Sequence, residues 1–377
     1  MFVKEQEMAY KITITGYFGF SNAGDELILE SLLEGAGKRF PGLSAVVLGG
    51  KQLSVKKHKF ARAVNRRNLY GAAKALLTSR MLVFGGGGVL QDLTSTRSLL
   101  YYLSLIVFAK IAGKKVVLLA QGIGPINSPV NRKLAGRVLG LADFVAVRDR
   151  ESAETLAGLK VDGRKSAITA DLVYSLETKK TAAVTRSPGG KPFLGVSLRE
   201  QRGVCGFEEK IASMLKILSG KYGFGIGIIP FNTKEDAAVS ARVAEMTGCS
   251  ELYFWDSTGG LTEYFQRFDL VLGMRLHALI VSCLLGIPFA AISPGGNGDK
   301  PADGKIGSFI SSMGLDAAEA EIKAGTLAAG DCAEAVYKIY ERRKEASALT
   351  RARVEKLAGL SRNNFEYLEM MMEGKRK

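Results

Sequence analysis

Acid–base chemistry near neutral pH has few possible carriers in this 377-residue chain, which holds only two histidines, His58 and His277. His277 stands in GMRLHAL (273–279), an otherwise apolar stretch, two residues after Arg275 and at a strand-to-helix junction. A buried imidazole beside a guanidinium is costly unless something pairs with both. An anionic substrate would do so, which marks Arg275 as a substrate-binding residue and His277 as the proton carrier. A lone histidine in an apolar stretch is ordinarily structural. The strand-end position, the neighbouring Arg275 and the scarcity of other acid–base candidates reverse that expectation. His58 lies among lysines and reads as a surface residue.

Further candidates sit at the ends of apolar runs. Arg148, in VRDRES (147–152), directly follows one such run, where a guanidinium can clamp a carboxylate or phosphate in bidentate fashion. The ordinary alternative is an ion pair with Asp149 or Glu151. GYFGFSNAGDE (16–26) has glycines for tight turning and places Asn22 and Asp25 where a helix cap would sit. Backbone N–H groups at such a helix start suit anions or sugar hydroxyls. The segment has neither GxGxxG spacing nor a GK[ST] sequence. FGGGGVLQD (84–92) carries Gly85, Gly86, Gly87 and Gly88 at a strand end, a costly run that makes sense where a ligand or another backbone approaches closely. AQGIGP (120–125) ends in the same style, with Gln121 able to face a ligand. SPGGNGDKPADGKIGSF (293–309) offers Lys300 and Lys305 to a phosphate. No HExxH, spaced DxD pair or GxSxG occurs, so no metal site is expected and a serine-hydrolase mechanism is disfavoured.

The elements that must position these residues follow a strand–helix alternation. KITITGY (11–17), SAVVLGG (44–50), MLVFGGGG (81–88), KKVVLLAQGIGP (114–125), DFVAVRD (143–149) and SAITAD (166–171) are continuous apolar runs, as in strands covered on both faces. Helical spacing puts Leu27, Ile28, Leu32 and Ala36 on one face, and Leu99, Leu103, Ile106 and Ala109 on another. A polar break over 177–192 reads as a linker. A second alternating set follows, with strands in 192–200, 223–231, 250–256, 269–279 and 288–294 and helices over 206–219, 234–246, 260–267 and 276–285. The predicted fold is α/β: two doubly wound Rossmann-like domains, GT-B-like, over residues 1–178 and 190–345, closed by a C-terminal helix over 346–377. Ligands of such sheets bind at the carboxyl ends of strands, so one shared cleft is expected.

Composition agrees with a globular chain, at 47% hydrophobic and 24% charged. Cys205, Cys249, Cys283 and Cys332 are scattered and read as reduced. No run of about 18 apolar residues exists, and no signal-type apolar core precedes the first strand. The expected location is cytoplasmic. The net charge of +15 favours anionic partners. Lys51, Lys56, Lys57, Lys59, Arg62, Arg66 and Arg67 cluster without an intervening acid. They read either as a solvated loop or, with Lys375, Arg376 and Lys377, as a peripheral contact with the inner face of an anionic membrane. Without an RNP-like motif or zinc finger, nucleic acid is not expected as a partner.

Taken in order, GYFGFSNAGDE, FGGGGVLQD, QGIGP, AVRDRES, TADLVYS, GVSLRE and GMRLHALI resemble the polysaccharide pyruvyl transferase family, most closely its CsaB type, from about residue 11 to residue 310. The resemblance implies a GT-B-like fold and transfer of pyruvate from phosphoenolpyruvate, as donor substrate and without a cofactor, to a sugar of a cell-wall polymer. That sugar is commonly N-acetylmannosamine of a lipid-linked precursor, and the product is a 4,6-ketal. The family's RLHAL motif maps onto Arg275 to Leu279 and places its essential histidine at His277. The arginine of VRD falls on Arg148, and VSLR puts Arg199 at a strand end facing the same site. The family's lysine fits Lys305 within DGKIGSF. This chain carries about eight extra glycine-rich residues before it, which leaves Lys300 as the alternative. Asn22, Asp25 and the Gly85–Gly88 run would hold the acceptor sugar. Sequence leaves open whether His277 acts as acid or base.

A GT-B glycosyltransferase using a nucleotide sugar is the main rival, although no E-x7-E-type donor pattern is present. A non-catalytic carbohydrate- or phosphate-binding protein would not need the Arg275–His277 pair.

Overall fold

The computed structural model describes residues 10–178, 190–201, 203–248, 251–293, 304–315 and 320–374. Most of the 177–192 linker, Cys249, Lys300 and the basic end Lys375–Lys377 fall outside them. The chain forms two compact units. The first comprises Met1–Phe20, Asp25–Leu176 and Leu357–Lys377, and the second Ser21–Gly24 and Glu177–Lys356.

The first unit runs β1 (Lys11–Thr15), α1 (Ala23–Arg39), β2 (Ser44–Gly49), β3 (Ala61–Asn65), α2 (Leu69–Thr78), β4 (Met81–Phe84), β5 (Gly87–Leu90), α3 (Thr96–Ile111), β6 (Lys115–Ile123), α4 (Pro129–Leu139), β7 (Phe144–Val147), α5 (Arg150–Gly158) and β8 (Ser166–Ile168). Its strands pair in parallel in the order β3-β2-β1-β4-β6-β7-β8, with β5 joined to β6. Ile12, Thr13 and Ile14 are all buried, as they must be in a strand covered on both faces. The helix stripes read from sequence point inward: Leu27, Ile28, Leu32 and Ala36 of α1 and Leu99, Leu103, Ile106 and Ala109 of α3 are buried. Each fully buried leucine or isoleucine contributes about 1.5–3 kcal/mol. Ser95, Ser128 and Asp149 cap α3, α4 and α5 by accepting from backbone N–H groups of the first turn.

The second unit runs β9 (Phe193–Ser197), α6 (Phe207–Tyr222), β10 (Gly225–Ile228), α7 (Ala237–Thr247), β11 (Glu251–Leu252), α8 (Thr258–Phe265), β12 (Leu270–Gly273), α9 (Leu276–Leu284), β13 (Phe289–Ser293), α10 (Lys305–Ser312), β14 (Glu321–Lys323) and α11 (Ala329–Glu341). Its parallel order is β11-β10-β9-β12-β13-β14. Leu194, Val196, Leu270 and Leu272 from the two central strands share one core with Ile211 and Leu215 of α6. A last helix, α12 (Arg343–Glu373), begins in the second unit, and its part from Leu357 onward belongs to the first. There Asn364, fully buried, accepts from Ala120 N–H at 2.9 Å and donates to Ala170 O at 3.3 Å. It thereby satisfies backbone groups where β6 shifts register and Ala120 takes a φ of +47°.

Both sheets are doubly wound. Their order reverses beside the first strand, between β1 and β4 in one and between β9 and β12 in the other, and such switch points are where these sheets bind ligands. Among the described residues, no helix is long and apolar enough to cross a membrane.

Candidate functional site

In the second unit the switch point gathers four of the residues that matter. Gly273 at the end of β12 pairs with Ser197 at the end of β9. Beyond that pair, Met274 N–H donates to Ser197 O at 2.8 Å, and Arg199 N–H lies 3.4 Å from Met274 Sδ. Arg199 and Arg275 thus leave neighbouring strand ends, as the VSLR resemblance implied for Arg199 and the strand-to-helix junction suggested for Arg275. Ser197 itself, 1% exposed, has a buried Oγ with no hydrogen-bond partner among the described residues.

His277 is the second residue of α9, inside its first turn, where the helix dipole is positive. Its ring lies against the backbone of Gly24: a β-carbon at position 24 would sit 2.2 Å from His277 Nδ1. The Ser21–Gly24 segment is held by an antiparallel bridge, with Ala23 N–H donating to Phe231 O at 2.8 Å and Thr233 N–H to Ser21 O at 3.0 Å. Asn22 forms that bridge opposite Asn232, and its Oδ1 accepts from Gly24 N–H at 3.3 Å. Only a residue without a side chain at 24 leaves room for the imidazole. The glycine of SNAGD therefore shapes the histidine site, a role that sequence reading had given only to chain turning.

Arg275 does not wait for a substrate to supply its counter-charge. Its Nε donates to Asp236 Oδ2 at 2.9 Å, its Nη2 to Asp236 Oδ1, and Nη2 also to Glu235 Oε2 at 2.9 Å. Asp236 is fully buried and also accepts from Asn232 N–H at 2.8 Å. Burial pulls the Arg275 pKa down, and the two carboxylates more than offset it, so the net shift is upward. The bidentate grip fixes the residue immediately before α9 and hence the direction in which His277 leaves the strand. Lys305 opens α10, which packs against α9 and β13. Lys300 lies outside the described residues.

In the first unit Arg148 follows β7 and is likewise internally paired. Its Nε donates to Asp149 Oδ2 at 3.1 Å and its Nη1 to Asp171 Oδ2 at 3.0 Å, with a side chain only 7% exposed. Desolvation lowers its pKa, and Asp171 and Asp149 together raise it further than that. Of the two partners that sequence offers, Asp149 and Glu151, Asp149 is engaged, and Asp171 arrives from the distant TADLVYS segment. The guanidinium packs over Gly122, where a β-carbon would meet it at 3.1 Å. The Gly85–Gly88 run has its own close neighbours: Ile28 beside Gly86, and Asp25 Oδ1 at 3.1 Å from a β-carbon on Gly87. Both glycines have positive φ, +91° and +82°. These close neighbours are side chains of helix α1.

One first-unit residue, Glu26, is not among the sequence candidates, and two others, Gln121 and His58, have surroundings different from those expected. Glu26, in the first turn of α1, accepts from Gly19 N–H at 2.6 Å. Burial raises its pKa to about 7, aided by Asp25 and opposed by the N–H groups of Gly19 and Phe20. Its signal was present, since it closes the GYFGFSNAGDE motif. Gln121 was noted, but it is fully buried, with Nε2 donating to Leu119 O at 3.2 Å and Oε1 without a partner among the described residues. His58, read as a surface residue, is instead only 10% exposed and pairs with Glu30 at 3.1 Å, because α1 brings that carboxylate to it.

A sequence model of the polysaccharide pyruvyl transferase family matches residues 22–296. The chain belongs to that family. The matched span carries every site residue named above except Lys300 and Lys305. Among curated proteins none matches the chain significantly. Among solved structures, the chain is similar to Anabaena HepE in complex with UDP and glucose, at 11% identity and a TM-score of 0.59, covering 95% of this chain and 99% of that one. It is also similar to a glycosyltransferase from Rickettsia africae (12% identity, TM-score 0.63, 96% and 98% covered). A third is the UDP-GlcNAc 2-epimerase from Neisseria meningitidis bound to UDP-GlcNAc (11%, 0.58, 96% and 99%). At these identities the likeness establishes the fold, two parallel-sheet α/β units of the GT-B class.

Proposed function

We propose that this family member transfers pyruvate from phosphoenolpyruvate to two hydroxyls of one sugar in a cell-wall polymer or its lipid-linked precursor, forming a cyclic ketal, in the manner of the CsaB type. The observation that carries the reading is the seating of His277: a histidine at the switch point of its sheet, fixed against Gly24 and preceded by the locked Arg275, within the span that matches the family.

Ketal formation adds a proton to the methylene carbon of phosphoenolpyruvate. One sugar oxygen then bonds to the adjacent carbon, the bond from that carbon to the phosphate oxygen breaks, and the second sugar oxygen bonds to the same carbon. Of the two hydroxyl protons, one ends on the new methyl group and the other leaves with phosphate. His277 is the group on this chain suited to move these protons near neutral pH. Phosphoenolpyruvate carries about three negative charges. Arg199 at the neighbouring strand end and Lys305 or Lys300 are the cations assigned to it, while Arg275 and Arg148, each paired with two carboxylates, hold the frame. Asn22 and Asp25 are assigned to the acceptor side.

The test is phosphate release from phosphoenolpyruvate by the purified protein across a panel of tagged N-acetylhexosamine disaccharides. Acceptor-dependent release supports the reading. Absence of release with every acceptor, together with transfer from a nucleotide sugar, would replace it with glycosyl transfer.

A further inference from the structure

Two of the three arginines singled out as site residues, Arg148 and Arg275, are neutralised by the protein's own carboxylates. Arg66 differs. Among the described residues no carboxylate pairs with it, and the hydrogen bond its side chain makes there is from Nη1 to Tyr102 Oη at 3.3 Å. Its charge is held by rings instead: the guanidinium carbon lies 4.2 Å from the Phe20 ring centre, 5.4 Å from Tyr101 and 5.9 Å from Tyr17. Tyr17 and Phe20 stack on each other at 4.5 Å. Tyr102 in turn donates to Gly16 O at 3.0 Å.

These contacts set the position. Arg66 follows the edge strand β3, and its N–H donates to Gly49 O at the end of β2. Its head group is drawn back across the sheet to residues that follow β1, at the carboxyl edge beside the β1/β4 switch point. A half-buried guanidinium stacked on aromatic faces keeps its charge and presents donors in a planar fork that matches a phosphate. Lys51 and Arg67, both exposed, add to the positive field.

We propose that Arg66, on its platform of Tyr17, Phe20 and Tyr101, receives a phosphoryl group of a substrate in the first unit. The choice of candidate ligands rests on the pyruvyl transfer proposed above; the binding itself does not. Two sources carry that chemistry, phosphoenolpyruvate and a glycosyl phosphate on the acceptor. Titration calorimetry of the full chain with phosphoenolpyruvate, with N-acetylglucosamine 1-phosphate and with unphosphorylated N-acetylglucosamine separates them. Arg66→Met is expected to weaken one phosphorylated ligand at least tenfold while leaving the unphosphorylated sugar unchanged, and the ligand affected names the source. Arg66→Lys, which keeps the charge but loses the fork, is expected to recover only part of the loss. A measurement on the unmutated protein guards against a misfolded variant: phenylglyoxal labelling of Arg66, read by peptide mass spectrometry, should slow when the phosphorylated ligand is present in excess. Binding of both phosphates within twofold of wild type in a folded Arg66→Met protein, no binding of either by the wild type, or labelling of Arg66 unchanged by both ligands would each overturn the proposal. Loss of pyruvyl transfer activity alone would not, since binding and labelling are read without turnover.

Discussion

Gly24 and His277 are in direct contact, and a single added methyl group at Gly24 would lie 2.2 Å from His277 Nδ1. Rotating the imidazole away clears its Nδ1 and Cγ, and His277 Cβ, 2.9 Å from the added methyl, must also give by a few tenths of an ångström together with the start of α9. Displacement of a catalytic group by about 1 Å can cost about 100-fold in rate. Gly24→Ala is therefore expected to lower kcat by about two orders of magnitude while thermal unfolding shifts little. Steady-state kinetics beside a melting curve checks both halves.

Replacing the imidazole itself tests its role. His277→Ala removes the assigned proton carrier and is expected to lower kcat by about 10²–10⁴-fold. Circular dichroism should show an intact fold. Activity within tenfold of wild type would sink the assignment.

Asp236 supplies the buried half of the Arg275 clamp and also caps Asn232 N–H. Asp236→Ala strands a guanidinium whose side chain is only 15% exposed, leaving the more exposed Glu235 as its partner. Breaking a buried pair on one side costs about 3–5 kcal/mol. Urea denaturation should show a loss of that size, and the folded fraction should turn over more slowly because the start of α9 is no longer fixed.

The carboxyl of Glu26 gives a pH signature. Its pKa is raised from 4.5 to about 7, chiefly by burial. Between those values the unfolded chain releases this proton while the folded chain retains it, so the folded state binds more protons and stability falls as pH rises through the window. Glu26→Gln removes that dependence. Its stability advantage over wild type should be larger at pH 8 than at pH 4.5, by about 1–2 kcal/mol after allowing for partial exposure. An equal difference at both pH values would contradict this account.

The central strands were legible because each is covered on both faces and so reads as an unbroken apolar run, as in Ile12–Ile14 and Leu270–Leu272. The edge strand β3, ARAVN, was not: Arg62 and Ala63 are exposed, and Arg62 makes the segment read as part of a basic run. The other sheet has short strands at both edges: β11 lies inside the run 250–256 expected from sequence, whereas β14, three residues with no apolar run, is not expected. At the site, the strand-end positions of Arg148, Arg275 and His277 followed from local pattern, and that of Arg199 from the resemblance of its VSLR segment to the family. Their partners did not. Asp171 lies 23 residues from Arg148 and Asp236 lies 39 from Arg275, and no local periodicity links such pairs. Arg66 was hidden in a run of cations, since only the fold brings Phe20 and Tyr101 beneath it.

The claim on which the rest depends is pyruvyl transfer, and mass spectrometry of the acceptor after incubation with phosphoenolpyruvate tests it most directly. The account predicts an acceptor heavier by about 70 mass units, the increment for a pyruvate joined through two oxygens with loss of one water, and formed in step with phosphate release. An acceptor of unchanged mass after phosphate has been released, or one that gains a hexose from a nucleotide sugar instead, would contradict it.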